Sequence, residues 1–354
     1  MAVDPAAVKF GLNTFGTVVP DEQGKEPGGA EVIRQVVEEG VLADELGLDA
    51  FDVGEHHRPD MAVSAPDIVL AALAGRTSKV KLGSAVTVLS SDDPVRVFER
   101  FSTIDAISRG RAEVILGRGS FTESFPLFGF DLADYDMLFS EKLDLFAELI
   151  KERPVTWSGS HRRPLEGADV FPKTESGRLG AWIGVGGSPE SVVRTVNYQI
   201  PMMLAIIGGD SERFVPYVDL YERAQAAYRE QVDASAPERL PLGVHSPGFV
   251  GEDDESAREA YWPGYARMRE RIGRQRGWPP PTREEFDEET RTGSQYVGSP
   301  ETVARRIART ISLLQADRFD LKYDGAVGHD QLMGSIERYA TQVVPRVREL
   351  LAEG

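Results

Sequence analysis

Phe51-Asp52-Val53-Gly54-Glu55-His56-His57 reads as a short strand that ends in a cluster of titratable side chains. Side chains on a strand point alternately to its two faces. Phe51 and Val53 are apolar and should face a covering helix layer. Asp52, Gly54 and His56 then share the opposite face. On this register His56 points into whatever the strand lines and His57 points away. A small, partly polar inner face with a histidine at its C-terminal end suits the mouth of a parallel α/β barrel. The alternative is a loop whose histidines are solvated or satisfy a backbone carbonyl.

The flanking sequence repeats the pattern. Phe10–Phe15 alternates, with Gly11 and Asn13 on one face. Val80–Val88 carries Gly83, Ala85 and Thr87 on one side and Val80, Leu82, Val86 and Val88 on the other. Small residues on an inner face leave room for something flat. Further strands are expected at Ala112–Gly117, Ala181–Val185, about 201–207, about 240–250 and 318–323. Helical periodicity lies between them: Val32, Val36, Val37, Val41 and Leu46 recur at helix spacing before Gly47. Asp93-Pro94, Ser188-Pro189 and Ser299-Pro300 each place a capping side chain before a proline, the signature of a helix start. Strands alternating with helices argue a parallel α/β architecture. About eight such units in 354 residues favour one closed (β/α)8 TIM barrel over 1–354, with insertions at about 151–180 and 274–295. A hairpin is expected near Trp157 in the first insertion. The second, proline-rich and acidic over 277–292, lacks a hydrophobic period and reads as a mobile segment.

The formal charge of −17 argues against a nucleic-acid or anionic-membrane partner, which would require a basic face. The chain has no cysteine, which removes thiolate chemistry and Cys metal sites. Met1–Pro5 has neither a basic flank nor an apolar segment, so no signal peptide is expected. No apolar run approaches the ~20 residues of a membrane span. A cytoplasmic location is the expectation.

Four groups could carry chemistry. His56 at a barrel mouth could act as a general base or hydrogen-bond partner. No metal site is expected, because His56 and His57 diverge on a strand and no His-Glu-x-x-His run exists. Gly186-Gly187-Ser188-Pro189 could cradle a phosphate on backbone N–H groups at a helix start, or form an ordinary capped turn. Arg118, between two glycines at a strand end, could hold phosphate or form a surface ion pair. Lys322 shares parity with Asp320, and pairing with Asp52 would make it structural.

Gly54-Glu55-His56-His57, Gly83–Leu89, Asp93–Val97, Ser108–Arg111, Gly117-Arg118-Gly119, Phe128-Gly129 and Val297–Val303 together resemble the luciferase-like flavin-dependent monooxygenases. The resemblance implies a (β/α)8 barrel with reduced FMN, or the deazaflavin F420, in its mouth. It implies O₂ activation by the flavin and oxidation of a small organic substrate. His56 takes the place of the catalytic histidine. Ala85, Val86 and Thr87 would lie beside the flavin ring, where the family often has a non-proline cis peptide. Arg118, Gly186, Gly187 and Ser188 would hold the phosphate. The resemblance further implies a homodimer and a separate flavin reductase supplying reduced FMN. One departure stands out: luciferase has a second phosphate-binding arginine in the helix after strand four, and this chain has Asp136 in that region. The alternatives are F420-dependent hydride transfer on the same barrel, a metal-dependent barrel hydrolase, and a non-enzymatic flavin-binding relative.

Overall fold

The computed structural model describes residues 3–353 apart from Glu22, Ser120 and Asp324, and apart from the Gln275 side chain. The first strands in chain order are β1 (Lys9–Thr14), β2 (Ala50–Val53), β3 (Lys81–Val88) and β4 (Glu113–Gly117). Then come β5 (Val155–Trp157), β6 (Leu165–Ala168), β7 (Gly180–Val185), β8 (Met202–Ala205), β9 (Leu242–Val250), β10 (Tyr296–Gly298) and β11 (Arg318–Lys322). The helices are α1 (Gly29–Glu45), α2 (Pro66–Ala74), α3 (Pro94–Ser108), α4 (Ser124–Phe128), α5 (Tyr135–Leu149) and α6 (Pro189–Asn197). They continue with α7 (Val215–Gln231), α8 (Asp254–Arg276), α9 (Arg283–Arg291), α10 (Pro300–Leu314), α11 (His329–Arg338) and α12 (Val344–Glu353).

Eight of the strands close a parallel ring in the order β1-β2-β3-β4-β7-β8-β9-β11, and β11 pairs back to β1. This is the (β/α)8 barrel. Strand alternation explains its layers. Phe10, Leu12, Phe51, Val53, Val114, Leu116, Phe319 and Leu321 are fully buried in the layer between strands and helices. Each such side chain stabilises the fold by about 1.5–3 kcal/mol relative to exposure. Their neighbours Gly11, Asn13, Asp52, Glu113, Ile115 and Asp320 face the interior. The helix starts follow the capping chemistry. Asp93 accepts from Val95 N at 2.9 Å and Arg96 N at 3.3 Å, and Ser188 and Ser299 cap α6 and α10 in the same way.

The insertion after α5 holds the antiparallel hairpin β5–β6 around Trp157. The stretch 277–292, in which the sequence shows no hydrophobic period, contains a helix. Thr282 and Glu285 form a reciprocal capping box that starts α9. Phe286 of α9 is fully buried against the rings of Trp262 and Tyr265, with centroids 5.3 and 4.9 Å away. One aromatic anchor holds this helix, and one residue makes no detectable period. β10 then extends the outer end of β9. Above the barrel, α8 passes so close to the loop after β11 that a Cβ on Gly264 would lie 2.1 Å from the Ala326 carbonyl oxygen. Only glycine permits that crossing, and it sets α8 as a roof. Among the described residues, no helix is long and apolar enough to cross a membrane.

Candidate active site

The barrel interior is built on one guanidinium. Arg318 at the start of β11 donates to Asp52 Oδ2 at 2.6 Å and to Asp320 Oδ1 at 2.8 Å, and also bonds Glu113. Lys322 is therefore not the partner of Asp52. It stands 4.5 Å over the Phe15 ring, higher in the cavity. Three carboxylates share one cation. Burial, and then the neighbouring Asp320 and Glu113 charges, push Asp52 well above the usual carboxylate range against the pull of Arg318. Glycines make the space: a Cβ on Gly83 would lie 2.1 Å from Asp52 Oδ1, and one on Gly11 2.2 Å from Asp320 Oδ1.

A cavity of about 1220 Å³ opens above this cluster at the C-terminal ends of the strands. His56 borders it. Its ring meets Phe15 edge-on with centroids 4.6 Å apart, and Phe121 at 5.1 Å. His56 Nδ1 lies 3.4 Å from Glu123 Oε1. Burial raises the Glu123 pKa most, but the bond to His56, a backbone hydrogen bond and the charges of His56 and Arg58 together hold Glu123 below its usual value. With Nδ1 on Glu123, Nε2 is the nitrogen left for the cavity.

β2 ends at Val53, so strict alternation does not reach His57, and both histidines border the cavity. His57 Nε2 bonds Glu55 Oε1 at 2.9 Å, while Glu55 Oε2 accepts from Val88 N at 3.0 Å. Glu55 therefore ties the end of β2 to the end of β3. The Glu55 hydrogen bond raises the His57 pKa above 6.5, with burial opposing. The folded form then holds the proton more tightly than the unfolded chain. That stabilisation is fully present below pH 6.5 and is lost as pH rises through the folded value. Glu55→Gln is expected to flatten this decline in a thermal-melt series against pH. An unchanged pH slope would remove the pair from the account.

The Ala85–Val86 peptide is cis. Both residues border the cavity, and Val86 nests against bare backbone: a Cβ on Gly117 would lie 2.4 Å from it and one on Gly184 3.2 Å. Thr87 does not join them. It is buried, and its hydroxyl donates to Ser84 Oγ at 2.8 Å behind the wall.

Arg118 stands at the rim, where one nitrogen bonds Asp136 Oδ1 at 2.8 Å. Arg118 also acts on Glu190 and Arg194 of α6, which places it beside that helix start. Gly186 borders the cavity. Gly187 (φ +99°) and Ser188 lie just beyond, and the Ser188 hydroxyl donates to Glu190 Oε2 at 2.7 Å. The start of α6, the Arg118 guanidinium and Arg194 form a donor set that fits a phosphate.

Several lining residues were not singled out from the sequence. His245, Met203, Phe121, Glu123, Tyr265 and Met268 all border the cavity. Alternation in β9 could have found His245, since Leu242 and Val244 pack outward and Gly243 and His245 alternate with them. Residues from the segments 17–27 and 277–292 also line the cavity.

The sequence pattern of the luciferase-like monooxygenases matches residues 13–316. The chain belongs to that family. The N-acetyl-S-alkylcysteine monooxygenase of Bacillus subtilis is 28% identical over 193 residues, covering 53% of this chain and 56% of that one. The alkanal monooxygenase alpha chain of the Kryptophanaron alfredi symbiont is 27% identical over 187 residues, covering 49% and 52%. This luciferase-like chain thus spans about half the length of the curated relatives it matches. Among solved structures, the monooxygenase RslO1 from Streptomyces bottropensis superposes with a TM-score of 0.80 at 22% identity, covering 95% of this chain and 99% of that one. The oxygenating constituent of 3,6-diketocamphane monooxygenase from Pseudomonas putida, in complex with FMN, gives 0.75 at 17%, covering 98% and 99%. An F420-dependent secondary alcohol dehydrogenase gives 0.71 at 16%, covering 96% and 99%. At these identities the structures establish the shared fold.

Proposed function

We propose that this chain is a monooxygenase that uses reduced FMN and O₂ to oxidise a small organic substrate. The observation that carries the reading is His56, held by Glu123 at Nδ1, beside the Ala85–Val86 wall of a deep barrel-mouth cavity. When bound, the flavin supplies O₂ activation. Arg118 and the opening of α6 at Gly186–Ser188 would hold its phosphate. Ala85 and Val86 offer a flat wall for its ring, and Phe15 and Phe121 keep water from His56. His56 holds or moves a proton at Nε2, with Glu123 fixing the orientation of the imidazole. The chain works as one barrel unit, forms a homodimer, takes reduced FMN from a separate reductase and acts in the cytoplasm. The family resemblance supports the first three statements, and the acidic, cysteine-free composition supports the fourth. The Glu55-His56-His57 run and the monooxygenase relatives favour FMN over F420.

Paired titrations test the phosphate site. Arg118→Ala should weaken FMN binding by on the order of 1.5–3 kcal/mol, the worth of one charge-assisted hydrogen bond. Riboflavin, which lacks the phosphate, should bind both proteins alike. Equal losses for FMN and riboflavin would remove Arg118 from the phosphate site.

A further inference from the structure

One buried cation lies outside everything the flavin reading uses. Lys142, in the middle of α5, is 6% exposed, and among the described residues it forms no ion pair. Its ammonium donates to the Ser90 carbonyl oxygen at 2.6 Å and stands 4.0 Å from the centre of the Phe130 ring. Asp92, Asp93 and Glu141 attract it from nearby, but each is engaged elsewhere. Asp92 bonds Arg100, Asp93 caps α3 and accepts from Arg162 at 2.8 Å, and Glu141 accepts from the His161 N–H at 2.9 Å. Burial outweighs their pull and lowers the Lys142 pKa to about 8.

A lone enclosed ammonium is a poor choice for stability alone. Its desolvation is costly, and an apolar side chain of similar length would fill the site at least as well. What the ammonium holds is one carbonyl, and the contacts run on from there. Ser90 lies in the single turn Leu89–Ser91 after β3 and is fully buried. Its hydroxyl donates to the Arg118 carbonyl oxygen at 3.2 Å. Tyr135, two turns before Lys142 on α5, donates to the next carbonyl, that of Gly119, at 2.5 Å. α5 thus grips the backbone at 118–119 twice, once directly and once through Ser90. Gly119 (φ +79°) lets that backbone lie on β3, since a Cβ there would be 2.8 Å from Val88 Cγ1. The Arg118 side chain has no such enclosure. Its neighbours are the exposed Asp136 and the Tyr135 ring, 5.6 Å away. The backbone grip is therefore the enclosed part of what aims the guanidinium. The wall at Ala85–Val86 is tied separately, by Thr87 to Ser84 and by Val88 N to Glu55.

We infer that Lys142 and Ser90 are positioning residues of the phosphate site: Lys142 fixes the turn after β3, Ser90 fixes the Arg118 backbone on that turn, and the guanidinium is thereby held toward the start of α6. The inference rests on the proposed function for calling Arg118 a phosphate ligand. Neither residue touches the ligand, and both act through Arg118.

The test is fluorescence titration with FMN and with riboflavin, read as the ratio of the two affinities. It takes the wild type, Lys142→Met, Ser90→Ala, Arg118→Ala and each of the first two variants combined with Arg118→Ala. Lys142→Met and Ser90→Ala should each lower the preference for FMN about three- to tenfold, the range of one lost hydrogen bond, and leave riboflavin affinity as it is. On top of Arg118→Ala, neither should lower the preference further, because residues that act through one group are not additive. A loss shared equally by FMN and riboflavin would make the contacts mere support for the wall and overturn the inference. So would an unchanged preference, or a full additive loss on top of Arg118→Ala. Ser90→Ala removes only a hydroxyl and decides the matter if Lys142→Met does not fold. The failure of the underlying reading looks different. An Arg118→Ala protein that keeps the wild-type preference removes the phosphate site, and the inference with it. One that loses the preference while Ser90→Ala and Lys142→Met keep it overturns the inference alone.

Discussion

His56→Ala is expected to fold, to bind flavin and to lose product formation by ~10²–10⁴-fold, the usual worth of a positioned acid–base group. The ring is not a packing element of the main core; it sits between Phe15 and Phe121 at the cavity edge. Its loss removes a proton carrier and opens a path for water, so reduced FMN should still be consumed with O₂ while product falls. The comparison is His57→Ala, because both rings border the cavity. That substitution should act on stability through Glu55, whose other oxygen holds Val88 N. Thermal melts, flavin affinity and the ratio of product to flavin oxidised should be read on both proteins. Full coupling in His56→Ala together with lost coupling in a folded His57→Ala protein would transfer the role to His57.

Arg318→Met is expected to be the most destabilising single change in the barrel. The cation holds Asp52, Glu113 and Asp320 in a layer closed to solvent. Breaking a buried ion pair by removing one partner costs roughly 3–5 kcal/mol, because an uncompensated charge is left behind. Three carboxylates left without it can regain a bound state only by taking up protons. Asp52 already has a folded pKa above its unfolded 3.8, so its contribution is greatest below 3.8 and is lost as pH rises through the folded value. The variant should steepen that trend and be relatively better folded in mild acid. Chemical denaturation at several pH values measures both effects. A loss below 1 kcal/mol at neutral pH would mean that the cluster is well hydrated and does not anchor the barrel.

The strand–helix alternation and the capped starts at Asp93-Pro94, Ser188-Pro189 and Ser299-Pro300 were legible because they are local: three or four adjacent residues determine each. The inner face of β2 was legible for the same reason. Parity fixes which face a side chain takes, but not how far it reaches. Arg318, Asp320 and Lys322 all face inward, and Lys322 is level with Asp52 across β1. The longer route from Arg318 at the strand start nevertheless supplies the partner, and no pattern in the sequence orders those two options. Thr87 failed as a wall residue because its hydroxyl bonds Ser84 behind the Ala85–Val86 peptide. The roof was illegible for a different reason. α8 intersperses Tyr261, Tyr265 and Met268 with arginines, and Phe286 is the one buried apolar side chain of α9.

The most direct measurement is an anaerobic titration of the wild-type protein with reduced FMN and, separately, with reduced F420, followed by admission of air. The account predicts FMN binding that is tighter than F420 binding by at least about tenfold, or 1.4 kcal/mol. It also predicts that air oxidises the bound FMN in a manner altered by His56→Ala. Tight F420 binding with no affinity for FMN, in a complex indifferent to oxygen, would contradict it.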